Sequence, residues 1–456
     1  MQTITLPAAK ANVPIQENKL IVILGISTWF VVMNSTMFNI ALPSILIDLS
    51  LNSSTVAWIV SANAIAFALS TLTFSRLSDF IPLTRLLLIG LVLFAVASVL
   101  GFYSNQFYVL LIARIVQAIG AGAVQGLGMI ITSRYIPIER RGKAMAIIAA
   151  GASLGFGLGP VVGGVIIQYL GWHYLFMVTI FVIFLLPVFK KLIPKEIFKK
   201  GNFDLAGAVL TAVCVTGVLL FLSTFSYVIL IGSLILLAVW WIYLNKKDVP
   251  FIQPYLLRNK QYAKLLTIGF TNFLLNFANL FLMPIILTSL FHKEPLEVGI
   301  MIFPGAILAV FAGKYLGKFI DTYGSMPIIF IGQGLLMTSS ILFAFLSTLS
   351  PYYILFIYMF ASIGFTMTSS ALSNEVSRLL KREDLGSGMG ILQLLQFVGA
   401  GIGATLSGIL ITLQEGFSPE IVYRNIFFVL FFLLCIAGFT HLSYYRQVRR
   451  MKEEQA

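Results

Sequence analysis

The sequence predicts an all-α polytopic membrane protein with fourteen transmembrane helices. Three observations carry this. First, 59% of the 456 residues are hydrophobic and only 10% are charged, against about 25% charged in an average soluble domain; the mean hydropathy is +0.96. Second, the apolar residues fall into runs of the length a bilayer requires, roughly 20 residues for a helix. Third, the runs are continuous. Strands of a membrane barrel would alternate over about ten residues, so a barrel is excluded. Disorder needs low hydrophobicity and high charge and is excluded too.

The runs lie at 20–42, 54–75, 84–104, 107–132, 143–169, 172–190, 204–224, 226–244, 262–290, 297–318, 326–348, 350–376, 386–414 and 421–444. Residues 1–19 are polar, hold Pro7 and Pro14, and lack the short apolar core and cleavage site of a signal peptide. The first run therefore reads as a retained helix. An even number of spans puts both termini on one side. Of the 30 Lys and Arg, Arg114 sits inside the fourth run, and only Lys293 and Arg424 fall in odd-numbered loops. The others lie at the termini or in and beside even-numbered loops, as at Arg140, Arg141 and Lys143 or at Lys190, Lys191 and Lys195. By the positive-inside rule both termini are cytoplasmic. The formal charge of +13 is spread along one membrane face, so no nucleic-acid partner is expected.

After the second run the chain reads Ser75-Arg76-Leu77-Ser78-Asp79-Phe80-Ile81-Pro82-Leu83-Thr84-Arg85; after the tenth it reads Gly317-Lys318-Phe319-Ile320-Asp321-Thr322-Tyr323-Gly324. Both follow the pattern small–basic–apolar–x–Asp with a turn residue three positions later. An Asp here can cap a helix and face a cation across a helix interface. Two copies in corresponding places indicate two related halves, a known feature of transporters.

These residues resemble the major facilitator superfamily. The stretch 75–85 is similar to its loop motif G-x-L-x-D-R-x-G-R-R, departing at both glycines (Ser75, Pro82), while 317–324 keeps both. Arg114-Ile115-Val116-Gln117-Ala118-Ile119-Gly120-Ala121 resembles the helix-4 motif R-x-x-Q-G-x-G-A, with Ala118 for the first Gly. Gly155-Phe156-Gly157-Leu158-Gly159-Pro160-Val161-Val162-Gly163-Gly164 resembles the antiporter motif of helix 5, G-x-x-x-G-P-x-x-G-G. Fourteen runs look like the drug:proton antiporter branch that includes the Gram-positive tetracycline exporters. The resemblance implies two six-helix bundles, 20–190 and 262–444, with two inserted helices within 191–261. It leaves 1–19 and 445–456 as cytoplasmic ends. It also implies a small amphipathic substrate, a proton as coupling ion, no cofactor, and a monomer in the cell membrane.

Candidate site residues follow from polar side chains at membrane depth. Arg114 would cost roughly 2.5–3.5 kcal/mol if unpaired there, so it should face a cavity or a polar partner, with Gln117 and Gln125 on its face. Asn34 and Asn39 lie in the first run, Asn272, Asn276 and Asn279 stripe one face of the ninth, and Gln393 and Gln396 are one turn apart in the thirteenth. These amides suit a substrate cavity; they suit interhelical bonds equally well. Gly155, Gly159, Pro160, Gly163 and Gly164 would give a bent, closely packed helix. Phe156 is singled out among the 39 Phe as the aromatic residue inside that motif. Asp79 with Arg85, and Asp321 with Gly317 and Gly324, read as cytoplasmic gates.

Enzymatic readings find little support. Gly151-Ala152-Ser153-Leu154-Gly155 spells a hydrolase elbow, but it lies inside a glycine-rich apolar run. Neither G-x-x-x-x-G-K-[ST] nor H-E-x-x-H occurs, and the two cysteines form no CxxC. Transport would then draw on an ion gradient; export of an endogenous lipid or metabolite is the alternative substrate class. The 17 Asp and Glu avoid the middle of every run. Asp204 and Glu375, near run ends, are the remaining candidates for coupling, which predicts weak or unusual proton linkage.

Overall fold

The computed structural model describes residues 16–455 except 79, 137, 195–203, 249 and 382–383. Its long helices are α1 (Glu17–Asp48), α2 (Ser53–Leu77), α3 (Leu83–Phe102), α4 (Phe107–Tyr135), α5 (Ile138–Leu170), α6 (Tyr174–Leu192), α7 (Leu205–Thr224), α8 (Tyr227–Lys246), α9 (Lys260–Ser289), α10 (Pro295–Tyr323), α11 (Ser325–Leu346), α12 (Pro351–Leu379), α13 (Leu385–Leu413) and α14 (Pro419–Gln455). Thirteen of them carry an apolar window long enough to cross a membrane among the described residues; α5 contributes the shorter stretch Leu154–Leu170.

Local chemistry sets many boundaries. The Asn52 side chain accepts from Thr55 N, and the Asn259 side chain accepts from Gln261 N and Tyr262 N, capping α2 and α9. Glu294 and Glu297 form a capping box around Pro295, the first residue of α10. Gly324, at φ +82°, turns the chain between α10 and α11 in a conformation that favours glycine. Hydropathy misplaces three details. α5 begins at Ile138, before run 143–169, because its first turns are polar but helix-compatible. α6 is interrupted by a 3-10 turn at Phe181–Phe184. α14 continues past 444 to Gln455, since no Gly or Pro stops it.

Packing repeats with a shift of eight helices. In the first half α1 packs on α5, α2 on α4, and α3 on α4 and α6. In the second, α9 packs on α13, α10 on α12, and α11 on α12 and α14. The seams between halves obey the same operation: α2 meets α13, and α10 meets α5. Central α9 is 89% buried across its apolar window, while α8 is 11% buried. The α7–α8 hairpin lies outside, with α7 touching both α2 and α13. Lipid-facing apolar side chains such as Val228, Ile231 and Leu234 explain how α8 remains exposed yet hydrophobic.

Candidate functional site

The site is built around α4. Arg114 and Gln117 are one turn apart, and both are buried. Arg114 Nη1 donates to Asn34 Oδ1 of α1 at 3.0 Å and to Gln117 Oε1 at 2.6 Å. Gln117 Nε2 donates to Ser98 Oγ of α3 at 2.9 Å and to Thr179 Oγ1 of α6 at 3.1 Å. The guanidinium lies 3.9 Å from the Phe38 ring centre, a cation–π contact strengthened by desolvation. Among the described residues no carboxylate reaches Arg114. Its charge is held by amide dipoles and a ring, and its Nε has no partner. Gln125, expected on the same face, stays outside this network and leaves Oε1 unpaired.

The glycine motif of α5 serves two neighbours. Side chains added at Gly155, Gly159 and Gly163 would run into Met33, Thr36 and Met37 of α1. Thr36 Oγ1 donates to Gly155 O at 3.0 Å, beside the carbonyl of Phe156 that Pro160 leaves without a helical donor. The other face meets α10. A Cβ on Gly164 would stand 2.8 Å from Leu296 Cα. Phe156 is half-buried.

On the opposite half, Asn272, Asn276, Asn279 and Gln396 are buried, and Gln393 is half-buried. Asn272 Nδ2 donates to Phe365 O at 3.3 Å, leaving Oδ1 unpaired. Gln396 Nε2, Asn34 Nδ2 and Asn39 Nδ2 are also unpaired. Each unanswered buried group costs about 1–3 kcal/mol; these four form a polar set on α1, α9 and α13. Sequence reasoning missed the aromatic residues beside it. Phe67 of α2 meets Phe397 of α13 at 4.7 Å between ring centres; Phe397 meets Phe273 of α9 at 5.5 Å, and Phe273 meets Phe365 of α12 at 5.2 Å. No local pattern distinguishes these four from the other phenylalanines; only the packing does.

The two ends are closed differently. At the end bearing the termini, Arg76 Nη2 donates to Ser387 Oγ across the α2–α13 seam at 3.0 Å, and Arg134 reaches Ser78 O at 2.9 Å. Asp79 and the side chain of Asp321 lie outside the described residues; Gly317 falls within α10, and Arg85 is exposed in the first turn of α3. At the far end Gln168 Nε2 donates to Glu294 Oε2 at 2.7 Å, and Leu296 N donates to Gln168 Oε1 at 3.3 Å, across the α5–α10 seam. Nearby, the Lys293 ammonium donates to Glu297 at 2.7 Å, and this bond raises its pKa.

Both coupling candidates have partners. Asp204 accepts from Gly207 N at 3.0 Å, Tyr243 Oη at 2.5 Å and Phe251 N at 2.8 Å. These bonds cap α7 and tie α8 and the following segment to it. Glu375 Oε1 accepts from Tyr444 Oη of α14 at 3.0 Å, rather than from Arg378 in its own helix.

The eight-helix repeat of pairings and seams coincides with a match over residues 24–404 to the sequence profile of the Major Facilitator Superfamily. The chain belongs to the Major Facilitator Superfamily. It is 28% identical to the riboflavin transporter RibZ of Clostridioides difficile (strain 630), over 74% of this chain and 75% of that protein. It is 27% identical to the multidrug efflux pump SdrM of Staphylococcus aureus (strain N315), over 85% of this chain and 88% of that one. A solved bacterial homologue of the human lysosomal transporter Spinster, inward-facing and unoccupied, shares the superfamily fold at TM-score 0.67 and 14% identity, covering 94% of this chain and 97% of that chain.

Proposed function

We propose that this superfamily member is a secondary active exporter of small amphipathic compounds, tetracycline-like or other drugs, working by alternating access. It belongs to the fourteen-helix antiporter branch and acts as a monomer in the cell membrane with both termini cytoplasmic. Residues 20–190 and 262–444 are its rocking bundles, and 191–261 carries the inserted pair. The observation that carries this reading is the pair of equivalent seams, α2–α13 and α5–α10, flanking unpaired polar groups on α1, α9 and α13. Asn34, Asn39, Arg114, Gln117, Gln125, Phe156, Asn272, Asn276, Asn279, Gln393 and Gln396 line the substrate path. Asp79 and Asp321 with their neighbours gate the cytoplasmic side. Coupling is to protons and weak, with Glu375 as the titrating group.

A second reading, export of a planar metabolite such as a flavin, is favoured by the Phe67–Phe397–Phe273–Phe365 cluster and by the 28% identity to a riboflavin transporter. Offset and edge-on ring contacts are each worth about 0.5–1.5 kcal/mol beyond area burial. Purified protein in liposomes, given a pH gradient and either tetracycline or riboflavin, separates the two. Tetracycline flux alone supports drug export. Riboflavin flux that falls severalfold in Phe273→Ala and Phe397→Ala supports the second reading, and flux of neither contradicts both.

A further inference from the structure

Between α9 and α14, at the end bearing the termini, lies a cleft of about 590 Å³. Its α14 wall follows one helix face through Phe439, Leu442, Ser443, Arg446 and Arg450, the i, i+3, i+4, i+7 spacing of a single stripe. The stripe changes character along its length. Phe439 and Leu442, 73% and 38% exposed, offer hydrocarbon; about 16 Å further on, at 1.5 Å per residue, Arg450 offers charge. The α9 wall contributes Lys264. Its Nζ donates to Ser443 Oγ and to Gln447 Oε1, both at 2.9 Å. Those acceptors are neutral, so they position the ammonium without cancelling it. No acidic residue lines the cleft among the described residues.

Three cations converging over an apolar floor complement an anionic amphiphile. We propose that this cleft binds an acidic phospholipid, its phosphate held among Lys264, Arg446 and Arg450 and its acyl chain laid along Leu442 and Phe439. A free phosphate would engage the rim only, whereas the exposed apolar stripe continues directly from it into the span of α14. Because α9 is the central helix of the second half, the lipid is held against a helix that packs on α13, α12 and α1.

The test uses the full chain, purified in neutral detergent and titrated separately with phosphatidylglycerol, phosphatidylcholine and inorganic phosphate, with bound lipid read by native mass spectrometry. Phosphatidylglycerol is retained and phosphatidylcholine is not. Each cation near a charged headgroup contributes about fivefold, so Lys264→Gln/Arg446→Gln/Arg450→Gln weakens retention roughly a hundredfold. Arg446→Gln/Arg450→Gln, which leaves the Lys264 bonds intact, loses about twenty- to thirtyfold by the same measure. Lys190→Gln/Lys191→Gln/Lys247→Gln, exposed cations elsewhere, retains the wild-type value. Equal retention of the two lipids would overturn the proposal, as would undiminished binding by both cleft variants. So would displacement of phosphatidylglycerol by inorganic phosphate at lipid-like concentrations, which would assign the rim to free anions.

Discussion

Gly299 of α10 and Pro160 of α5 meet backbone to backbone: a Cβ on Gly299 would stand 2.8 Å from the Pro160 carbonyl carbon. Gly164 makes the reciprocal approach to Pro295 and Leu296. The α5–α10 seam therefore closes only because each helix presents a glycine where the other presents main chain. Small residues allow such approach in membranes, where packing rather than water drives association.

Overpacking such a contact costs about 1–3 kcal/mol, near a tenfold change in population per 1.4 kcal/mol. We expect Gly299→Val or Gly164→Val to loosen the far end. A cysteine at Gln168, in a Cys214→Ser/Cys435→Ser background, should then react roughly ten times faster with an impermeant maleimide. An unchanged rate would show that the glycines do not hold this seam.

Arg114 and Asn34 respond differently to truncation. Asn34→Leu strips a partner from a buried charge and should destabilise by at least about 1–3 kcal/mol. Asn34→Leu/Arg114→Met removes the charge as well and should recover part of that loss, because an uncompensated buried charge costs more than the one neutral acceptor, Gln117 Oε1, that loses its donor. Thermal unfolding in detergent compares them. A double variant less stable than Asn34→Leu would mean that the Arg114 side chain contributes packing that Met cannot replace.

The two carboxylates should separate stability from coupling. Asp204→Asn weakens a cap and two cross-links, so we expect a loss of about 1–2 kcal/mol with substrate-driven proton movement preserved. Glu375→Gln should lower proton movement while the unfolding temperature changes little. Proton flux that falls in Asp204→Asn and is untouched in Glu375→Gln would reverse these assignments.

Much of this was legible in the sequence because the bilayer leaves few choices. Helix positions follow from run length, and Arg114 with Gln117 stands out because a cation at membrane depth must be answered. The partner Asn34 was among the candidate amides, but which amide reaches Arg114 depends on how α1 rotates against α4. The Asn39–Pro43 and Asn279–Pro284 stretches near the ends of α1 and α9 are a further trace of the repeat. The phenylalanine cluster was hidden, since lipid, core and cavity all accept Phe. A carboxylate at a run boundary such as Asp204 suits a cap and a proton carrier alike, and its bonds to Tyr243 and Phe251, distant in sequence, leave no trace in the run pattern. The far-end latch pairs Gln168, at the last turn of an apolar run, with Glu294, which hydropathy treats as loop, and nothing in either run points to the other.

The central claim is that the halves move apart at their seams during transport. A Cβ on Gly157 would lie 3.8 Å from the Ala306 Cβ across the α5–α10 seam, the usual spacing in a disulfide. Gly157→Cys/Ala306→Cys, without Cys214 and Cys435, should be reconstituted in liposomes and its flux measured after oxidation and again after reduction. Flux that stops when the seam is bonded and returns on reduction is the expected result; equal flux in the bonded and reduced protein would contradict the account.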